Sequence, residues 1–359
     1  MRRALLVSSM FVAKGQGQKR GALIARALTG CWRATPPPWD LRSEELDDVG
    51  QLLLDFGVAG LVWHRLRVSR AEATRWTFRF HQAARACILH ALQQERWLVR
   101  ALACFTAAGI EPILGKGWAA AQSYAAPNLR PYGDADLYIP VEHAAKAFAL
   151  LNDPQFPPCS VDLHVGFAEL DDRTPEQLYA RSRRIPLEGT MIRVFGPEDH
   201  LRLMALHLLR HGARRPLWLC DVAAALETRP PDFDWEYFLS GDRQRSEWVM
   251  VALALAHQLL GARIEDVPFA IARLPQWIPS TVLREWEKPY HPRVPLEVTF
   301  RSFSLFVREL IRKWPNPIEA TVTARGRFDE GPRFPLQLAD CVIRAGRWLR
   351  RIGARRYRP

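Results

Sequence analysis

Two aspartates stand two residues apart in the stretch Asp134-Ala135-Asp136-Leu137-Tyr138-Ile139, which Pro140 closes. Successive strand side chains point to opposite faces. As a strand, this stretch puts Ala135, Leu137 and Ile139 on a core face and Asp134, Asp136 and Tyr138 on the other. Carboxylates so spaced have Cα atoms roughly 7 Å apart. Both can lean toward one hard cation, since Mg²⁺–oxygen distances are about 2.1 Å. Ser160 to Val165 repeats the arrangement: Val161, Leu163 and Val165 face the core, and Ser160, Asp162 and His164 face away. If the two strands are neighbours, Asp162 joins Asp134 and Asp136. Three converging carboxylates repel unless metal neutralises them. Two Mg²⁺ ions about 3.5–4 Å apart would do so, and would clamp a phosphoryl group during in-line displacement.

Upstream lies Gly115-Lys116-Gly117, a tight turn between a strand-like and a helix-compatible segment. Its glycines allow unusual backbone angles and close approach. The following helix start offers free N–H groups that suit phosphate, and Lys116 adds a positive charge. Gly115, Lys116, Gly117 and Arg130 form the expected phosphate-binding set, although a local carboxylate is an equally open partner for Arg130. His164 reads as a structural histidine or a neighbour of the ligands rather than a ligand. His207 and His211 share a helix face at i, i+4, but Leu208 stands where the glutamate of a zinc H-E-x-x-H would be. Asp221 reads as a residue that orients its neighbours.

The elements that must position these groups follow from hydrophobic periodicity. Residues 1–21 read as loose. Residues 22–108 read as helical, with Leu41–Leu66 and Ala71–Ala108 as long stretches; Phe80, Ala84, Cys87 and Trp97 recur at helical steps. Residues 109–196 read as strand, turn, helix, strand, helix, strand. Residues 197–265 return to helix, with Glu198–His211, Leu217–Leu226 and Gly241–Leu260 clearest. Residues 266–359 are interrupted by prolines, with helices at Ser302–Trp314 and Leu336–Ile352 and a basic tail.

The run Leu114-Gly115-Lys116-Gly117, Tyr124, Leu129-Arg130-Pro131, Asp134-Ala135-Asp136-Leu137 and Val161-Asp162-Leu163-His164 resembles the uncharacterised bacterial nucleotidyltransferase family of the DNA polymerase beta-like superfamily. The resemblance extends from about Ala22 to Leu260, taking in Phe56-Gly57-Val58-Ala59, the His207/His211 helix and Leu217 to Asp221. It implies an α+β fold with a small mixed sheet flanked by helical regions. It also implies transfer of a nucleoside monophosphate from a nucleoside triphosphate to a hydroxyl acceptor that the sequence does not identify. Asp134, Asp136 and Asp162 would bind Mg²⁺, two ions in all, and Gly115, Lys116 and Gly117 would face the triphosphate. One departure stands out. Only 25 residues separate Asp136 from Asp162, where the family is expected to carry a longer insert, and Asn152 to Cys159 holds three prolines.

Composition is that of a folded protein, 48% hydrophobic and 25% charged, which argues against bulk disorder. The net charge is +12, and seven arginines with no acid fall in Val342 to Pro359, marking a possible site for an anionic partner. The six cysteines form no C-x-x-C pair and their spacings are irregular, which argues against a zinc ribbon or a disulfide framework. Ala4–Ala13 only loosely imitates a signal peptide, and Val249–Ala262 is too short to span a bilayer; a cytoplasmic location is the expectation. Three competing readings remain: a degenerate nucleotidyltransferase fold serving as a nucleotide-binding or scaffold protein, a D-x-D glycosyltransferase, and a nucleic-acid binder using the basic tail. About 108 helical residues before the first strand disfavour the glycosyltransferase.

Overall fold

A computed structural model describes residues 19–270, 273–289 and 314–356. All of the expected helix at Ser302–Trp314 except Trp314 itself, and most of the loose N-terminal segment, lie outside these residues. Four helices open the described chain: α1 (Lys19–Leu28), α2 (Ser43–Asp55), α3 (Ala59–Val68) and α4 (Arg75–Ala107). The single stretch expected over Leu41–Leu66 is two helices. Gly57 at φ +72° turns the chain between them, an angle that glycine adopts without the Cβ clash an L side chain meets. Thr74 caps the start of α4 by accepting the Thr77 N–H.

The sheet then forms in five strands: β1 (Ile113–Gly115), β2 (Ala135–Ile139), β3 (Val161–Val165), β4 (Arg183–Leu187) and β5 (Thr190–Val194). Its order is β3-β2-β1-β5-β4. β2 and β3 run parallel, as do β1 and β5; the β1–β2 and β4–β5 pairs are antiparallel. Helices α5 (Lys116–Ala121), α6 (Ala144–Leu151) and α7 (Pro175–Arg181) lie within this unit. The fold is thus the mixed α/β class expected. The β4–β5 hairpin was not foreseen. Its turn is Glu188-Gly189, with φ +46° and +77°, the two positive angles of a type I′ turn.

The helices that follow are α8 (Pro197–Arg210), α9 (Pro216–Glu227), α10 (Trp235–Leu239), α11 (Arg243–Leu260), α12 (Trp277–Trp286), α13 (Pro317–Thr323) and α14 (Phe334–Arg356). No helix among the described residues is long and apolar enough to cross a membrane.

The sheet has a core on each side. Ala135, Leu137 and Ile139 of β2 pack with Leu114 and with Ala91, Leu98 and Phe105 of α4, as the strand alternation requires. On the opposite side Ile113, Tyr138 and Phe195 join Leu201 and Leu203 of α8 in a larger core that also takes in α1 to α3. The face expected to be polar is therefore polar only at one end. Tyr138 is 1% exposed and Asp136 is buried as well, so only Asp134, just before the strand, is open to solvent.

Candidate metal centre

Whether Asp162 meets Asp136 depends on which strands pair. β3 lies directly beside β2, with Asp136 opposite Asp162 and Tyr138 opposite His164. The short Asn152–Cys159 bridge does not prevent this. It is folded by turns such as the Phe156 N–H to Asp153 carbonyl bond at 2.9 Å, and the Ala135 N–H donates to the Ser160 carbonyl at 2.8 Å to start the ladder. On the other side of β2, Gly115 is opposite Asp136. Three adjacent strands thus bring the glycine turn, the D-x-D and Asp162 to one end of the sheet.

The side chains converge accordingly. One ligand atom each from Asp136, Asp162 and His164 lies within 4.8 Å of the others. His164 Nε2 is 3.1 Å from Asp136 Oδ1 and 3.3 Å from Asp162 Oδ2. Its ring stacks on Tyr138 at 4.2 Å and 7° between planes. The imidazole is thereby fixed between the two carboxylates, a more intimate place than the sequence assigned it. Asp136 is buried, whereas the Asp162 side chain is 55% exposed. Asp134 stands at the exposed entrance to β2. Desolvation, and then the charges of Asp136 and Asp162, push its carboxyl above the usual range. The converging ligand atoms are those of Asp136, Asp162 and His164; Asp134 feels the other two carboxylates as a lesser cause behind burial.

Asp136 goes the other way. Burial works to raise its pKa, but the His164 hydrogen bond and the Lys116 ammonium outweigh it and hold the carboxyl below its ordinary value. Lys116 Nζ is 2.6 Å from Asp136 Oδ1 and 3.3 Å from His164 Nε2. The residue is buried.

The turn itself is built differently from the expectation. Gly115 is extended, at φ −123° and ψ 177°, so its glycine is explained by space: a Cβ would meet Tyr138, Phe195 and Leu203 at 3.0–3.2 Å. The unusual angles fall on Lys116, at φ +43°, and Gly117, at φ +22°. A left-handed conformation costs an L residue roughly 1–2 kcal/mol. At Lys116 it is held by the backbone N–H, which donates to His200 Nε2 of α8 at 3.1 Å. Burial lowers the His200 pKa to about 4, which keeps this nitrogen an acceptor. At Gly117 a side chain would be crowded, since a Cβ would approach the Asp134 carbonyl oxygen to 3.2 Å.

Supporting contacts tie both arms to the helices. Glu95 of α4 accepts from the Trp118 indole at 2.9 Å and from the Tyr132 hydroxyl at 3.4 Å. Arg130 is placed on a carboxylate. Its Nε and one terminal nitrogen donate to Asp221 of α9 at 3.0 and 2.8 Å, another donates to the Pro131 carbonyl at 2.8 Å, and Tyr124 donates to Asp221 at 2.7 Å. This buried pair ties the loop before β2 to α9. His200 was missed in the sequence. It lies 84 positions from its partner, and no local motif marks it.

The profile of an uncharacterised nucleotidyltransferase family matches residues 43–156 and 157–261. The chain belongs to this family. The two matched stretches meet between Phe156 and Pro157, inside the short bridge that the carboxylate spacing had singled out. The glycine turn, Asp134, Asp136, Asp162, His164 and His200 all fall within them. No curated protein and no solved structure matches the chain.

Proposed function

We propose that the protein moves a nucleoside monophosphate from a nucleoside triphosphate to a hydroxyl acceptor, with pyrophosphate leaving, using divalent cations held at the end of β2 and β3. The reading is carried by the parallel β2–β3 register, which sets Asp136 against Asp162 with His164 Nε2 within 3.3 Å of both. Family membership supports it. The donor set fits the group: the carboxylates of Asp136 and Asp162 supply the hard oxygen ligands that Mg²⁺ and Mn²⁺ favour, and Asp134 stands at the open side. We assign Mg²⁺, two ions, to this centre.

Once bound, the metal supplies electrostatic stabilisation of the charge that develops on the transferred phosphoryl group. The protein's own work is positional. Asp136, buried and ionised, anchors the cluster, and His164, stacked on Tyr138, keeps the Asp136–Asp162 spacing fixed. Exposed Asp162 faces the incoming acceptor and takes up the hydroxyl proton. Gly117 lets the turn pack closely against the Asp134 carbonyl, and Lys116 contributes its charge toward the triphosphate. Positioning and preorganised charge account for catalysis here without a covalent intermediate.

Isothermal titration with each nucleoside triphosphate in the presence of Mg²⁺ tests this. At least one should bind with a dissociation constant in the roughly micromolar to millimolar span of ordinary substrates. Asp136→Asn should lower transfer by about 10²–10³-fold or more, the scale for losing one preorganised electrostatic group. A folded protein that bound none of the triphosphates would sink the proposal.

A second reading, a nucleotide-binding scaffold without transfer, draws on one observation: Lys116 already neutralises Asp136. Asp134→Asn combined with Asp136→Asn separates the two. A scaffold keeps its biological phenotype in the double variant, and an enzyme loses it.

A further inference from the structure

The Lys116 ammonium stands among the cation ligands. It is 2.6 Å from Asp136 Oδ1 and 3.3 Å from His164 Nε2, residues that supply two of the three converging ligand atoms. The Tyr138 ring lies 5.6 Å away beneath it. The side chain is 10% exposed, so water screens these contacts little. The backbone that delivers it is held in a left-handed turn by His200, so its origin is fixed close above Asp136. A lysine serving only an incoming phosphate has no need of these partners.

A divalent cation and this ammonium cannot both sit on Asp136 Oδ1, because two positive charges would then lie within a few ångströms in a poorly solvated site. Lys116 and the three aspartates together carry a net charge of −2; with the ammonium withdrawn the site carries −3. Withdrawal therefore creates the stronger cation site. A triphosphate is the partner whose chemistry can draw an ammonium off a carboxylate, since it offers several anionic oxygens at once. We infer that Lys116 couples the two ligands: it occupies the cation's place in the bare protein and releases Asp136 when its ammonium passes to the triphosphate. The bare protein then holds divalent cations weakly, and metal and nucleotide load together. This inference rests on the reading of the centre given above.

The experiment uses the full chain with Lys116→Met and Lys116→Gln, each checked for folding by circular dichroism. Mn²⁺ is titrated without nucleotide and its free fraction read by electron paramagnetic resonance. A fluorescent non-hydrolysable ATP analogue is titrated separately in EDTA. Both variants should bind Mn²⁺ about tenfold more tightly than wild type and the analogue about tenfold more weakly, within the range usual for coupled sites. Opposite changes from one residue are the signature, since a merely structural role would weaken both. Mn²⁺ binding that is unchanged or weaker in the folded variants, with analogue binding intact in wild type, overturns the coupling alone. Absence of Mn²⁺ and analogue binding in wild type and variants alike overturns the centre and the coupling together.

Discussion

Gly117 has a positive φ and a Cβ position 3.2 Å from the Asp134 carbonyl oxygen and 3.6 Å from Asp136 Oδ2. Gly117→Ala meets both obstacles, so it should cost about 1–2 kcal/mol of stability and displace the D-x-D backbone. Urea unfolding measures the first effect and Mn²⁺ affinity the second; an alanine variant with wild-type values in both would show the turn to be adaptable. His200 makes a pH prediction at the same scale. Its pKa falls from 6.5 to about 4 on burial, so the unfolded chain binds the proton more readily. Its contribution to stability is present above pH 6.5 and is lost as pH drops toward 4. Asp199, raised by burial from 3.8 to about 6, has the opposite sign, its contribution fading as pH rises from 3.8 to 6. His200→Gln removes only the first term. The stability gap between wild type and this variant should therefore narrow by about 2 kcal/mol between pH 7 and pH 4.5, read from denaturant midpoints at each pH. A gap independent of pH would mean that His200 titrates normally.

Between elements, the Arg130–Asp221 pair joins the loop before β2 to α9 with two hydrogen bonds, and Tyr124 completes the carboxylate's shell. Both charged groups are buried. Burying ions is costly, and removing one partner leaves the other uncompensated. Arg130→Met should thus destabilise by about 3–5 kcal/mol, whereas replacing both residues by apolar ones should recover much of the loss. Thermal melts of the single and double variants decide this; a single variant within about 1 kcal/mol of wild type would show the pair to be marginal. The β4–β5 hairpin shows why its strands were hard to read. Arg183, Arg184 and Pro186 interrupt β4, and all three are exposed, so alternation is weak. The Glu188-Gly189 turn was the usable signal, its two positive φ values matching a tight hairpin.

Across the molecule, the sheet is buried by helices that both precede and follow it in the sequence. α4 covers Leu114, Leu137 and Ile139, and α8 covers Ile113, Tyr138 and Phe195. The larger core further links α1–α3 to α8, α9, α11 and α12. Residues 109–196 alone should consequently lack a cooperative thermal transition and a near-ultraviolet dichroism signal, because both faces of β2 would be stripped to water. A sharp transition from that fragment would show the α/β unit to be self-sufficient.

Strand periodicity by itself determined that Asp134 and Asp136 point away from Leu137, and helical periodicity marked α4, α8, α9 and α11, because both depend on near neighbours in the chain. The Asp162 position was legible as a strand residue, but its place beside Asp136 was not, since strand pairing is a long-range choice made by packing. The same holds for the rest of the centre. Tertiary structure moved Arg130 onto Asp221, brought His200 to the Lys116 backbone and buried Tyr138 on what alternation left as an open face. It also set Lys116 on Asp136, a contact between residues 20 positions apart that becomes close only because β1 turns back antiparallel to β2.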